Sequence, residues 1–260
     1  NFNFAYNNNK ILKEALREDA LEPGREGYPV GALFALKTAG LDEEGYPMFE
    51  GKDGKAVSAM EFFKLQEWGF GATDLTARER RELYTYVGTA DCPYTGGFNN
   101  TFTYKAFELG VNFSFDFGGK VRSQPTYSIV DFDKGRNTNR DILNRWTPEN
   151  TETIFPVLLS QNERLDEYMW YSNQNEIYRN LDIWIRDLNY VRLQNIRLGY
   201  TLPTNFSRKL GMTSATIAIE GRNLLVFGSS YKNYLDPETM SNAYATPAPK
   251  SVTLSLNLNF

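Results

Sequence analysis

Phe107-Glu108-Leu109-Gly110-Val111-Asn112-Phe113-Ser114-Phe115-Asp116-Phe117 places an apolar residue at every odd position and none at the even ones. Successive side chains of a strand point to opposite faces, so this stretch has one apolar face and one polar face. The same period recurs at the other end of the chain. Val252, Leu254, Leu256, Leu258 and Phe260 alternate with Ser251, Thr253, Ser255, Asn257 and Asn259. Phe98, Phe102 and Tyr104 alternate with Asn99, Thr101 and Thr103, and Phe2, Phe4 and Tyr6 stand against Asn1 and Asn3.

The segments ending at Tyr104 and starting at Phe107 adjoin. A hairpin through Lys105-Ala106 sets Tyr104 against Phe107, Phe102 against Leu109 and Phe98 against Phe113. All three pairs fall on one face, so a two-residue loop gives a consistent register. Two further strands are less regular. Asp187 to Leu202 is apolar at Val191 and Leu193, then at Ile196, Leu198, Tyr200 and Leu202, and the slip predicts a bulge. Ser214 to Phe227 sets Ala215, Ile217 and Ile219 on one face and Glu220 and Arg222 on the other.

Between these six strands the joints alternate in length. Residues 7–96, 119–186 and 228–249 form long connections; 105–106 and 203–213 form short ones. All long loops therefore lie on one side of the sheet. An outer-membrane barrel is built this way, with short turns on one side and long loops on the other. A soluble sandwich has no reason to sort its loops so. Inside the loops, Ile11–Leu21 reads as a short amphipathic helix ended by Pro23-Gly24. Ser58…Glu61 and Thr76…Glu79 each fit a capping box at a helix start.

A sheet in hydrocarbon must close on itself, because unpaired N–H and C=O groups find no water there. Single-chain barrels begin at about eight strands. Six strands, with alternation already running at Asn1, therefore predict a piece of a larger barrel: all-β, transmembrane and antiparallel. Composition agrees. Aromatic residues make up 15% of the chain, too many for a disordered segment. Net charge is −4, which offers no general field for nucleic acid. There is no histidine and a single cysteine, Cys92, which removes histidine-based triads, histidine-ligated metals and internal disulfides. No enzyme constellation and no cofactor site is visible. The oxygen-rich run Asp131, Asp133, Asn137, Asn139, Asp141 has Gly135 at its fifth position and Ile142 at its twelfth. An EF-hand needs glycine at six and Glu at twelve, so the run reads as a solvated loop and not as a metal site.

The segment Gly96-Gly97-Phe98-Asn99-Asn100-Thr101-Phe102-Thr103-Tyr104-Lys105 resembles a strand of the SusC/RagA family, TonB-dependent transporters of Bacteroidota outer membranes. Further matches run in family order along the chain. They are Gly27-Tyr28-Pro29-Val30-Gly31, Gly40-Leu41-Asp42, Arg145-Trp146-Thr147-Pro148-Glu149-Asn150, the run Tyr190 to Tyr200, Gly221-Arg222-Asn223-Leu224 and Asp236-Pro237-Glu238. The resemblance implies that residues 1–260 form the C-terminal segment of a barrel of about 22 strands with a plugged lumen. It implies outer-membrane localisation and TonB-driven import of a glycan or oligopeptide. It also implies a SusD-like surface lipoprotein as lid, and TonB contact through a plug and N-terminal strands absent from this sequence.

On the barrel reading, the apolar rows face lipid. Glu108, Asn112, Asp116, Glu220 and Arg222, with Asn257 and Asn259, face the lumen. Trp170, Tyr171 and Trp184, in the second long loop, are candidates for substrate or partner contact. The terminal aromatic Phe260 resembles the signal read by the barrel-insertion machinery. The rival reading is a soluble or surface β-rich binding or adhesion module, which would bury its Phe and Leu rows against a second sheet.

Overall fold

The computed structural model describes residues 1–65, 73–123, 135, 137, 140–158, 179–228, 236–240 and 245–260. In chain order the strands begin with β1 (Phe2–Tyr6), β2 (Ala32–Leu36), β3 (Thr38–Leu41), β4 (Pro47–Glu50) and β5 (Ala56–Val57). Helices α1 (Ala59–Phe62) and α2 (Ala77–Glu82) follow, then β6 (Tyr84–Thr89), β7 (Tyr94–Tyr104) and β8 (Phe107–Arg122). The chain ends with β9 (Ile185–Thr201), helix α3 (Thr204–Lys209), β10 (Ser214–Phe227) and β11 (Ser251–Asn259). It divides into two compact units. One holds residues 1–8, 90–121 and 186–260; the other holds 9–89 and 122–185.

The first unit is a six-stranded antiparallel sheet in the order β1-β7-β8-β9-β10-β11. These are the six strands the alternation predicts. The hairpin has the expected register, with Tyr104 opposite Phe107, Phe102 opposite Leu109 and Phe98 opposite Phe113. Its tight turn holds Lys105 at φ 53°, with the ammonium 5.2 Å from the centre of the Tyr104 ring. The bulge near Leu193 is present as a register shift between β9 and β10, opposite Arg222 and Leu225.

Two of the glycine-bearing motifs acquire a physical reason here. At Gly96 a Cβ would lie 2.4 Å from the Asn3 carbonyl oxygen and 2.5 Å from the Phe115 ring. Only glycine lets β1 and that ring close on β7 at this point. In Gly221-Arg222-Asn223-Leu224, Asn223 takes a left-handed φ of 52° at the register shift. Asparagine tolerates that conformation better than most residues. Leu224 then folds back over Gly221, where a Cβ would meet Leu224 Cδ1 at 2.5 Å.

The apolar rows share one face and stay exposed. Phe2, Phe4, Phe98, Phe102, Phe107, Ile217, Ile219, Val252, Leu254, Leu256 and Leu258 are all more than 40% accessible. Aromatic clusters mark both ends of the β7–β8 rows. At the long-loop end Phe115 stacks with Phe117 at 5.4 Å, and Tyr6 packs on Tyr94 at 5.3 Å. At the short-turn end Phe107 meets Tyr200 at 4.7 Å. Ten residues separate Phe107 from Phe117, about 34 Å of strand at ~3.4 Å per residue. A strand tilt of about 45° reduces this to ~24 Å, close to the ~25 Å apolar band of outer-membrane barrels. No helix among the described residues is long and apolar enough to cross a membrane.

The second unit is built from the first two long connections. β2 pairs with β6, and β3, β4 and β5 form a small sheet. Its core gathers Leu36, Phe49, Phe63, Ile142, Phe155, Leu181 and Trp184 from both connections. The Leu36 N–H donates to the Asn180 carbonyl at 2.8 Å, and the Thr38 hydroxyl donates to Asp182 at 2.6 Å. Both expected helix starts are found. Ser58 accepts from the Glu61 N–H at α1, and Thr76 with Glu79 forms a complete capping box at α2.

The expected helix at Ile11–Leu21 is absent. The Ile11 N–H donates to the Tyr28 carbonyl at 2.9 Å, and the Gly27 N–H donates back to the Ile11 carbonyl at 2.8 Å. The Glu14 carboxylate accepts from the Arg25 backbone. A helix this short is marginal by itself, and here contacts with residues 25–28 take up the Ile11 backbone groups and the Glu14 N–H instead.

Candidate functional site

The opposite face of the six-stranded sheet is a polar ladder. Glu108, Asn112 and Asp116 stand on β8 opposite Thr103, Asn99 and Thr95 of β7. Glu220 and Arg222 stand on β10 between Arg197 and Asn195 of β9 and Thr253 and Ser251 of β11. All five lumen candidates therefore lie in register on one side of the sheet. Asn257 and Asn259 join them opposite Thr216 and Ser214.

Side chains bridge neighbouring strands along this face. Arg197 donates to Glu108 at 3.1 Å, joining β9 to β8. Asn195 donates to Glu220, joining β9 to β10, and Arg222 donates to the same carboxylate. Gln194 donates to the Ser114 hydroxyl at 2.8 Å. Gln194 and Asn195 are adjacent, yet both reach polar partners, which is the slip in phase that the bulge produces. Asn1, Asn99, Thr101, Glu108, Asn112 and Arg197 line an open groove of about 590 Å³. Charges on this half of the face are matched, Glu108 with Arg197 and Glu220 with Arg222.

Towards the long-loop end the pattern changes. Arg192, with 2% of its side chain accessible, pairs with Asp236 and with Glu238, the latter at 3.0 Å. The Tyr190 hydroxyl lies 2.6 Å from Asp116 and 3.1 Å from Glu238. Sequence reasoning singled out Asp116 alone among these groups. Tyr190, Arg192, Asp236 and Glu238 stood within two matching motifs, but nothing in the sequence brought the motifs together.

The other candidates lie elsewhere. Trp184 is fully buried in the second unit, with its ring 5.8 Å from Phe155, so it packs the core and offers no surface to a ligand. Trp170 and Tyr171 lie outside the described residues, as do Asp131, Asp133 and Asn139. Asp141 is buried in a 3-10 turn over Arg140–Asn144. Among the described residues no group of three or more acidic or cysteine side chains is placed to hold a metal. Phe260 is 85% exposed beyond the end of β11. Cys92 is half-buried with its Sγ 3.9 Å from the Leu188 carbonyl. Burial first, and the Asp116 carboxylate second, push its thiol above the ordinary value, which keeps it protonated and unreactive.

An antiparallel sheet with an exposed apolar band on one face and a hydrogen-bonded polar ladder on the other is the wall of a transmembrane β-barrel. Comparison with known proteins agrees. No protein-family model matches the chain. TonB-dependent receptor P3 of Formosa agariphila is 26% identical over the whole chain, and TonB-dependent receptor P26 of the same organism is 28% identical over 63% of it. The RagAB peptide transporter superposes on 91% of the chain with a TM-score of 0.61 at 21% identity. The RagAB peptide importer in its open-open state gives a TM-score of 0.59. The chain is thus similar in sequence to a segment of TonB-dependent receptors, and its fold matches part of the RagAB transporter. It spans 26% of the length of receptor P3 and 23% of the RagAB chain.

Proposed function

We propose that the chain forms the C-terminal wall of a nutrient importer of the bacterial outer membrane. The observation that carries this reading is the division of one sheet into an exposed apolar face and a polar face bridged strand to strand. A soluble binding module would cover the Phe and Leu rows with a second layer. Here those rows lie open along a band of about one bilayer's height.

In this reading the whole transporter works as the SusC-like half of a pair. A SusD-like lipoprotein closes over the long-loop side and delivers substrate to the polar lumen. TonB then displaces the plug, which belongs to the part of the protein outside this sequence. Phe260 is the assembly signal at the end of the last strand. The work is transport and not catalysis: among the described residues the polar face holds paired carboxylates and amides, which bind and orient, with no activated nucleophile beside a base. Substrates are glycans or oligopeptides. The similarity to RagAB, described as a peptide transporter, makes peptides the first class to try.

The test is growth and uptake by a deletion strain on a panel of oligopeptides and glycans as sole nutrients. Loss of uptake for one class, restored by the full-length gene, is the expected result. Unchanged uptake across every nutrient tested would sink the importer reading.

A further inference from the structure

The ion-paired network at the long-loop end has a feature the matched pairs below it lack. Its two acids, Asp236 and Glu238, come from the last long connection and not from the wall. Arg192 donates through Nε to Glu238 at 3.0 Å and through a terminal nitrogen to Asp236. Asp236 also accepts from the Glu238 N–H at 3.0 Å, while its carbonyl accepts from the Thr239 N–H at 2.9 Å and from the Thr239 hydroxyl at 3.2 Å. Pro237, between the two acids, fixes its own φ and stiffens the turn. Asp236 and Met240 are buried, with relative accessibilities of 9% and 2%. Residues 236–240 are therefore seated on the polar face of β9, with the Tyr190 hydroxyl bridging from Glu238 to Asp116 of β8.

We infer that Asp236–Met240 is a strap pinned across the polar face at the long-loop end, with Arg192 as its pin. The inference rests on the reading of that face as lumen. A buried ion pair adds little net stability over apolar packing of the same shape, so its value here is positional. One guanidinium engages two carboxylates of one turn, and that fork geometry specifies where the turn sits. The pin also cannot be lost without consequence. Among the described residues Arg192 is the cation paired with Asp236 and Glu238; without it, these carboxylates and Asp116 would share one site as like charges, which disfavours that arrangement. Arg192 is thus a positioning residue for the last connection, and the strap keeps this part of the entrance covered.

The experiment uses the full-length transporter in the outer membrane of intact cells. Cys92 is replaced by serine, and Met240→Cys places a buried thiol in the strap. Labelling by a membrane-impermeant maleimide is expected to be slow in this background. Adding Arg192→Met is expected to speed it at least tenfold, and Arg192→Lys to give an intermediate rate. Asp236→Asn loosens the pin from the strap side without touching a wall strand, and should also speed labelling. It decides the matter if Arg192→Met fails to assemble. A rate unchanged in both Arg192→Met and Asp236→Asn, with normal amounts of assembled barrel, overturns the strap. Labelling requires neither substrate nor TonB, so its outcome is separate from that of the uptake assay.

Discussion

Thr76 and Glu79 show how much a single local motif can fix. The Thr76 hydroxyl accepts from the Glu79 N–H, and the Glu79 carboxylate accepts from the Thr76 N–H and hydroxyl. These bonds, the backbone one foremost and then the Thr76 hydroxyl and Lys64, pull the Glu79 carboxyl from 4.5 down to about 2. A group depressed in the folded state contributes fully above its unfolded value and loses that contribution as pH falls through the folded one. The cap is therefore expected to hold unchanged from pH 7 to 5 and to fail between pH 4.5 and about 2. Amide-exchange protection of Ala77–Arg80 in the full-length protein reads this directly. Equal protection at pH 5 and pH 2.5 would refute it. At neutral pH, Thr76→Ala should cost about 1 kcal/mol of local stability. This start was legible in the sequence because the two capping partners, Thr76 and Glu79, lie three residues apart. Arg192 was not, because its partners stand 44 and 46 positions away and only the folded sheet brings them near.

At the scale of the element, parity carries the argument. A strand's period is two, so a run such as Phe107–Phe117 declares both its faces and, with its neighbour, its register. That is why the β7–β8 pairing could be read residue by residue, and why β2 to β6 could not. Those strands have two to six residues, and Val30–Leu36 is an unbroken apolar run with no alternation to read. They are stabilised by a core assembled from two connections, a long-range fact. The false helix at Ile11–Leu21 has the same origin, since contacts with residues 25–28 overrode local spacing. Parity also makes a sharp prediction for two adjacent residues midway between the aromatic clusters. Phe113→Arg places a charge in the hydrocarbon band, at a cost of about 2–4 kcal/mol near the midplane. Asn112→Arg places the same charge on the polar face, in the open groove that Glu108 also lines. Full-length protein recovered from outer membranes should fall severalfold for the first and stay near normal for the second. Equal recovery would mean the faces are assigned wrongly.

At the scale of the whole molecule, the governing fact is that, among the described residues, the six-stranded sheet has two free edges, β1 and β11. In water an open edge is a liability for aggregation. In hydrocarbon it is excluded, because each unpaired N–H or C=O costs several kcal/mol, of order 2–7. Either edge carries several such groups, so the penalty exceeds the ~5–15 kcal/mol by which a typical domain is stable. The two edges cannot easily relieve one another, because closure of six strands would force a barrel narrower than the ~8-stranded minimum seen for such walls. The polar ladder would then have no room, since the side chains of Arg197, Glu108, Glu220 and Arg222 all project from one face. The 260 residues alone, refolded into lipid vesicles, are therefore expected to give no protease-protected species with heat-modifiable gel mobility. The same residues joined to the further strands of the proposed full barrel should give one. A protected, monomeric species from the short chain would mean that β1 and β11 pair with each other. The wall would then be a small closed barrel, and the polar face would have to be re-read as a packed interior instead of the lining of a transport path.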